Sequence, residues 1–338
     1  MASGTFFAAG SNSRVDLSPP AWWRCSMATD YSAPDLNIHP PRSPRVRMGG
    51  YVWLARLIDK ARAARAGKLG SYLWANPMDL VFLKYTGLDA DAFLAGTGGT
   101  ATDREALDWF TKNAAKRAPW DLTAWSTWFE NLVPFSNERR ERFNMRAGQA
   151  AAAEREDIAT WFDYLDVDDF FTFGGEPAAN GAPPACAPGA VNWMAPDLSV
   201  HAPRSPRVRL GGYVILARIL DKARASLRGA TGDYHYACPL DRRWFEFTGI
   251  SADALKAEAG RGLSDGELIA WVQNNTACQP HEILAWNAAR EQAVPSDNES
   301  REYVSSLMTG ARAAHREDIG TWFEALDVDD FATFGGQP

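Results

Sequence analysis

Two stretches of the sequence gather cations at spacings that suit an anion. The first holds Arg42, Arg45, Arg47, Arg56, Lys60, Arg62, Arg65 and Lys68 against one acid, Asp59. The second holds Arg204, Arg207, Arg209, Arg218, Lys222, Arg224 and Arg228 against Asp221. Guanidinium forks match phosphate and carboxylate oxygens. In each stretch the first arginines precede a helix in a proline-restricted, extended arm that can fold back beside it. The candidate ligand-binding residues are therefore Arg42, Arg45, Arg56, Asp59, Lys60, Arg62, Tyr72 and Asp79 in one stretch, and Arg204, Arg207, Arg218, Asp221, Lys222, Arg224, Tyr234 and Asp241 in the other. The plainer account of the same charges is internal. Asp59 and Asp221 each lie three residues from an arginine on either side, and the basic stretches can pair with acidic ends holding Asp166, Asp168 and Asp169 or Asp327, Asp329 and Asp330.

Other constellations carry less. Tyr234-His235-Tyr236-Ala237-Cys238-Pro239-Leu240-Asp241 has a cysteine at a helix start, where a thiolate nucleophile is conceivable. The other copy reads Tyr72-Leu73-Trp74-Ala75-Asn76-Pro77-Met78-Asp79, so such chemistry belongs to one copy only. There Asn76 or Cys238 falls at the N-cap, and Asp79 or Asp241 meets the helix dipole at the third position. His235, Cys238, Cys278 and His281 have zinc-like spacing, but Leu73, Asn76, Arg117 and Trp120 replace them in the first copy, so no metal is expected. No cofactor fingerprint is present: Gly96-Thr97-Gly98-Gly99 follows no strand, and Leu-Asp-Val-Asp-Asp-Phe lacks the glycine and final glutamate of a calcium loop.

These residues are positioned by an internal repeat. APDLNIHPPRSPRVRMGGYVWLARLIDKARA at 33–63 recurs at 195–225, and REDIATWFDYLDVDDFFTFGG at 155–175 recurs at 316–336. The offset is 162 through Asn113 and Asn275, then 161 from Pro119 and Pro280. A period this long reads as a domain duplication. The expected organisation is an extension without fixed structure at 1–32, a first domain at 33–175, a Pro/Ala/Gly-rich linker at 176–194 and a second domain at 195–338. Near-gapless repetition predicts that the two units fold independently and alike.

Each unit reads as mainly α. A helix follows Gly211-Gly212 from Tyr213 to Arg228, with Leu216, Ile219, Leu220, Ala223 and Leu227 on one face and Arg218 and Lys222 opposite. Residues 232–237 alternate like a short strand. Pro239 opens a helix closed by Gly249. Thr102 and Ser264 begin capping boxes, Pro119 and Pro280 open further helices, and the last helix runs through Ile319, Trp322, Phe323 and Leu326. The fold class is two homologous helical domains in tandem, with at most short strands.

The series Arg-Ser-Pro-Arg-x-Arg-x-Gly-Gly-Tyr-x-x-Leu-Ala-Arg-x-x-Asp-Lys-Ala-Arg, then Gly-Asp-Tyr-His-Tyr-x-Cys-Pro-Leu-Asp at 232–241, then Thr-Trp-Phe-x-x-Leu-Asp, resembles the bacterial domain-of-unknown-function family DUF 5069 over nearly all of 33–175 and 195–336. The resemblance implies one shared fold for both units and no chemistry.

Composition bounds the partners. The 338 residues carry a net charge of −7, with 46% hydrophobic and 23% charged residues. That is ordinary globular composition. A pI near 5.4 argues against nucleic acid as a partner. No apolar run reaches the length needed to span a bilayer, and the N-terminus lacks a signal-peptide core. Cys25, Cys186, Cys238 and Cys278 form no disulfide framework, which fits the cytoplasm. The function expected from sequence is a binding or regulatory module for a small anionic ligand or an acidic partner segment. An enzyme with its site in the second repeat, and a structural module that self-associates, are the alternatives.

Overall fold

A computed structural model describes residues 29–176 and 189–338. Cys25, Cys186, and most of the expected extension and linker lie outside the described residues. The first repeat comprises α1 (Leu54–Ala66), α2 (Pro77–Thr86), α3 (Ala90–Thr97), α4 (Asp103–Asn113), α5 (Pro119–Glu130), α6 (Asn137–Gln149) and α7 (Trp161–Thr172). The second repeats the order in α8 (Leu216–Arg228), α9 (Pro239–Thr248), α10 (Ala252–Ala259), α11 (Asp265–Asn275), α12 (Pro280–Glu291), α13 (Asn298–Gly310) and α14 (Trp322–Thr333). Extended pairing among the described residues is limited to isolated bridges, Met48 with Tyr51 and Leu210 with Tyr213. No helix of the described residues is long and apolar enough to cross a membrane.

Local chemistry sets the helix ends. Proline occupies the first turn of α2, α5, α9 and α12, where its missing N–H costs nothing. Thr160 and Thr321 open α7 and α14 with complete capping boxes. Ser264 does the same for α11, whereas at α4 the Glu105 carboxylate accepts from the Ala101 N–H and leaves only half a box with Thr102. The last helix begins at Trp322, so Ile319 precedes its cap rather than lying within it. Residues 232–237 form turns, not a strand: Gly232 and Ala237 both have left-handed φ (52° and 56°). A Cβ at Gly232 would lie 2.5 Å from the Leu198 carbonyl oxygen.

The central helices α1 and α8 are buried on every side from Leu54 to Ala63 and from Leu216 to Ala225. The face carrying Arg218 and Lys222 is therefore not a solvent face. Leu227, assigned to the apolar stripe, is instead 48% exposed. Trp53 and Ile215 enter these helices at φ 72° and 71°. This region is costly for bulky residues. Their N–H groups are held by the carbonyls of Pro44 and Pro206, which ties each basic arm over its helix.

The repeats interlock. The Thr29 N–H donates to Val200 O at 2.9 Å, and the Val191 N–H, its equivalent, donates to Ile38 O at 2.8 Å. Tyr31 N–H reaches Phe334 O, and Trp193 N–H reaches Phe173 O. Residues 29–32 and 191–194, placed by sequence in the extension and the linker, thus lie as exchanged arms on the opposite repeat. Gly49 N–H donates to Asp318 and Gly211 N–H to Asp157. Reciprocal contacts of this kind define a pseudo-two-fold, the intrachain counterpart of an isologous dimer.

Candidate functional site

The predicted residues come together, but mostly on one another. In the first repeat the Arg42 backbone and guanidinium both donate to Asp59, at 2.7–3.2 Å, and the guanidinium also meets Asp103. Arg62 takes the other side of Asp103 at 2.9 Å. Arg45 is fully buried against Asp163 and Asp166. Arg56 forks onto Asp169, which also accepts from the Tyr72 hydroxyl at 2.7 Å. Lys60 pairs with Asp79, and the Trp53 indole N–H donates to the same carboxylate.

The second repeat has the same arrangement. Arg204 holds Asp221 and Asp265, and Arg224 pairs with Asp265 at 2.8 Å. Arg207 meets Asp327 at 3.3 Å. Arg218 and the Tyr234 hydroxyl converge on Asp330. Lys222 Nζ contacts both oxygens of Asp241 and lies 3.5 Å from Cys238 Sγ. The internal pairing that sequence offered as the plainer account is the one present, since a buried cation without a carboxylate would be prohibitively costly.

Asp103 and Asp265 escaped the sequence reading as partners, although both copies place an aspartate right after a capping Thr or Ser. The reading also missed the aromatic contacts between repeats. Arg42 stacks on Phe331 with 4.2 Å from guanidinium carbon to ring centroid. Arg204 stacks on Phe170. The equivalent aromatics Tyr31 and Trp193 were legible only if the 162-residue offset had been extended upstream of residue 33.

These contacts surround a cavity of about 100 Å³ on the pseudo-two-fold. Its wall includes Arg42 and Arg204, the rings of Tyr31, Trp193, Phe170 and Phe331, and the carboxylates Asp166, Asp169, Asp327 and Asp330. Each ion-pair network carries a surplus acid. Arg42, Arg45, Arg47, Arg56, Lys60 and Arg62 face Asp59, Asp79, Asp103, Glu130, Asp163, Asp166 and Asp169. Arg204, Arg207, Arg209, Arg218, Lys222 and Arg224 face Asp221, Asp241, Asp265, Glu291, Glu324, Asp327 and Asp330.

Burial pushes Asp166 up to about 6, and Arg45 and the Ser43 hydroxyl only partly offset it. Asp327 rises to about 6 for the same reason, against Arg207. Asp329, beside Asp330, also rises to about 6 through burial. Asp265 goes the other way: burial would raise it, but Arg204 and Arg224 outweigh burial and hold it at about 2. Burial lowers Lys60 despite Asp79.

The remaining candidates stand apart from the cavity. His235 is exposed, with Nδ1 on the Asp233 carbonyl. Cys278 Sγ donates to Phe247 O, while Cys238 lies by Lys222. Among the described residues no three His, Cys, Asp or Glu side chains are grouped to hold a metal.

An all-helical unit, built twice on one buried ion-pair framework, defines the class of this protein. The chain belongs to the family described as domain of unknown function DUF5069, whose profile matches residues 38–170 and again 200–332. No curated protein sequence matches the chain.

Proposed function

We propose that the chain is a binding module whose inter-repeat cavity takes a small organic cation, a protonated amine of a few carbons. The observation that carries this reading is the placement of four carboxylates among aromatic rings on the cavity wall, with Asp166 and Asp327 each held by a single arginine. Burial raises the proton affinity of both groups, and a cation beside them would offset the cost of burying their charge. An ammonium group is such a cation, and the rings of Phe170, Phe331, Tyr31 and Trp193 supply the faces that attract cations. The anionic ligand expected from sequence is disfavoured here. The two guanidinium groups on the wall already hold two carboxylates each, which leaves them little donor capacity for an anion. Enzyme chemistry at Lys222 and Cys238 fits less well, because Asp241 occupies the ammonium with both oxygens. Free thiols at Cys238 and Cys278 suit a cytoplasmic setting.

The test is thermal unfolding of the full chain with n-butylamine, 1,4-diaminobutane and inorganic phosphate. A ligand that binds only the folded state raises the melting temperature. The amines should do so above pH 6 and lose the effect below it, as Asp166 and Asp327 protonate. Stabilisation by phosphate and not by amines would restore the anion reading.

A further inference from the structure

The two repeats differ most on one face. In α5, α6 and the loop between them, Trp120, Trp128, Phe135 and Met145 are exposed, Trp120 by 75% and Phe135 by 60%. The equivalent residues of the second repeat are His281, Ala289, Ser296 and Ser306. Charge differs in step. On α5, α6 and their loop the exposed charges are Arg139, Arg140, Arg142 and Arg146 against Glu138 and Glu141, whereas on α12, α13 and their loop they are Arg301 against Glu282, Asp297, Glu299 and Glu302. The first face is thus apolar and basic. Arg139 lies over the Phe135 ring. The second face, on α12, α13 and their loop, is acidic. It has its own exposed apolar residues in Leu284, Val294 and Tyr303.

Large aromatics left exposed on consecutive elements of one repeat mark an interaction surface rather than a solvated one. Complementary charge and matching apolar content on the same chain point to its occupant. We propose that the α5–α6 face of one molecule docks on the α12–α13 face of a second copy of this chain. The contact is heterologous, because each molecule offers a different face. It therefore repeats from molecule to molecule, as a ring if the rotation closes and as an open chain if it does not. Opposite charges bring the faces together, so association weakens with salt. The pseudo-two-fold makes this possible: the same position in the fold is present twice in each molecule, once basic and once acidic.

Sedimentation velocity of the full chain tests the proposal from low to high micromolar concentration, at low and high salt. Wild type should grow beyond a monomer with concentration at low salt. Trp128→Ser with Phe135→Ser should stop growth, and so should Leu284→Ser with Tyr303→Ser, each with unchanged circular dichroism. The mixture of the two variants is decisive. Each retains one intact face, so an equimolar mixture should form a one-to-one dimer and go no further. Monomeric wild type throughout the range overturns the proposal, even if the chain binds anionic vesicles or single-stranded DNA through the aromatic face. Undiminished growth in either variant overturns it as well.

Discussion

Arg204 of the second repeat lies over Phe170 of the first, its guanidinium carbon 4.4 Å from the ring centroid. The same cation closes the pair with Asp221 and Asp265. One side chain therefore links the internal framework of its own repeat to the last helix of the other. Arg42 and Phe331 reciprocate. Cohesion within a repeat and cohesion between repeats are consequently not separate quantities here.

Truncating Arg204 to alanine should lower unfolding free energy by about 3–5 kcal/mol, because it leaves Asp221 and Asp265 buried without their shared cation. Urea unfolding followed by circular dichroism measures this. A loss below about 1 kcal/mol would place the pair among those that contribute little.

Asp327→Asn should stabilise the protein at alkaline pH. The folded carboxyl titrates near 6 while an ordinary one titrates near 3.8, so the folded state holds the extra proton between these values. Its favourable contribution is complete below the lower value and is lost as pH rises through 6. Asparagine does not ionise, so the variant should gain about 1–3 kcal/mol at around pH 8 and nothing near pH 4. Paired urea titrations at the two pH values decide it.

The opposite slope should appear in acid. Asp265 is held at about 2 and Asp103 also lies below its ordinary value. Their stabilisation is present above about pH 4 and declines as pH falls through their folded values. Asp265→Asn should flatten that decline while costing stability at neutral pH. An unchanged acid limb in the variant would assign acid unfolding to other carboxylates.

An isolated second repeat, residues 189–338, should form a homodimer rather than a stable monomer. The Val191–Trp193 arm would find on its twin the Val200 and Phe334 carbonyls that Thr29 and Tyr31 use in the full chain. Light scattering gives the mass, and the melting temperature should rise with concentration. A monomer with the thermal stability of the full chain would show that the exchanged arms are dispensable, and would favour the independent folding expected from the repeat.

Helix identity was legible because its determinants are local. Asn76 before Pro77, with Asp79 three positions on, announces a capped helix, and the structure has one. The fate of Arg218 was only half legible. The sequence offered two partners, a local pair with Asp221 and the acidic end that holds Asp330, and Arg218 takes Asp330, 112 residues away. Periodicity separates an apolar face from a polar one, but it does not tell solvent from a buried acidic helix. The cavity was less legible still. It requires Arg42 and Phe331, distant in sequence and in different repeats, to meet across an interface that composition does not encode.

In a dimer of identical chains, a site on the two-fold axis offers any unsymmetrical guest two indistinguishable poses. Fusion into one chain removes that degeneracy. The arm that closes one end of the cavity brings Tyr31, and the arm at the other brings Trp193, whereas the carboxylates between them remain paired alike. A guest with unlike ends therefore meets a phenol on one side and an indole on the other. The cleft has a direction, although the fold around it has almost none.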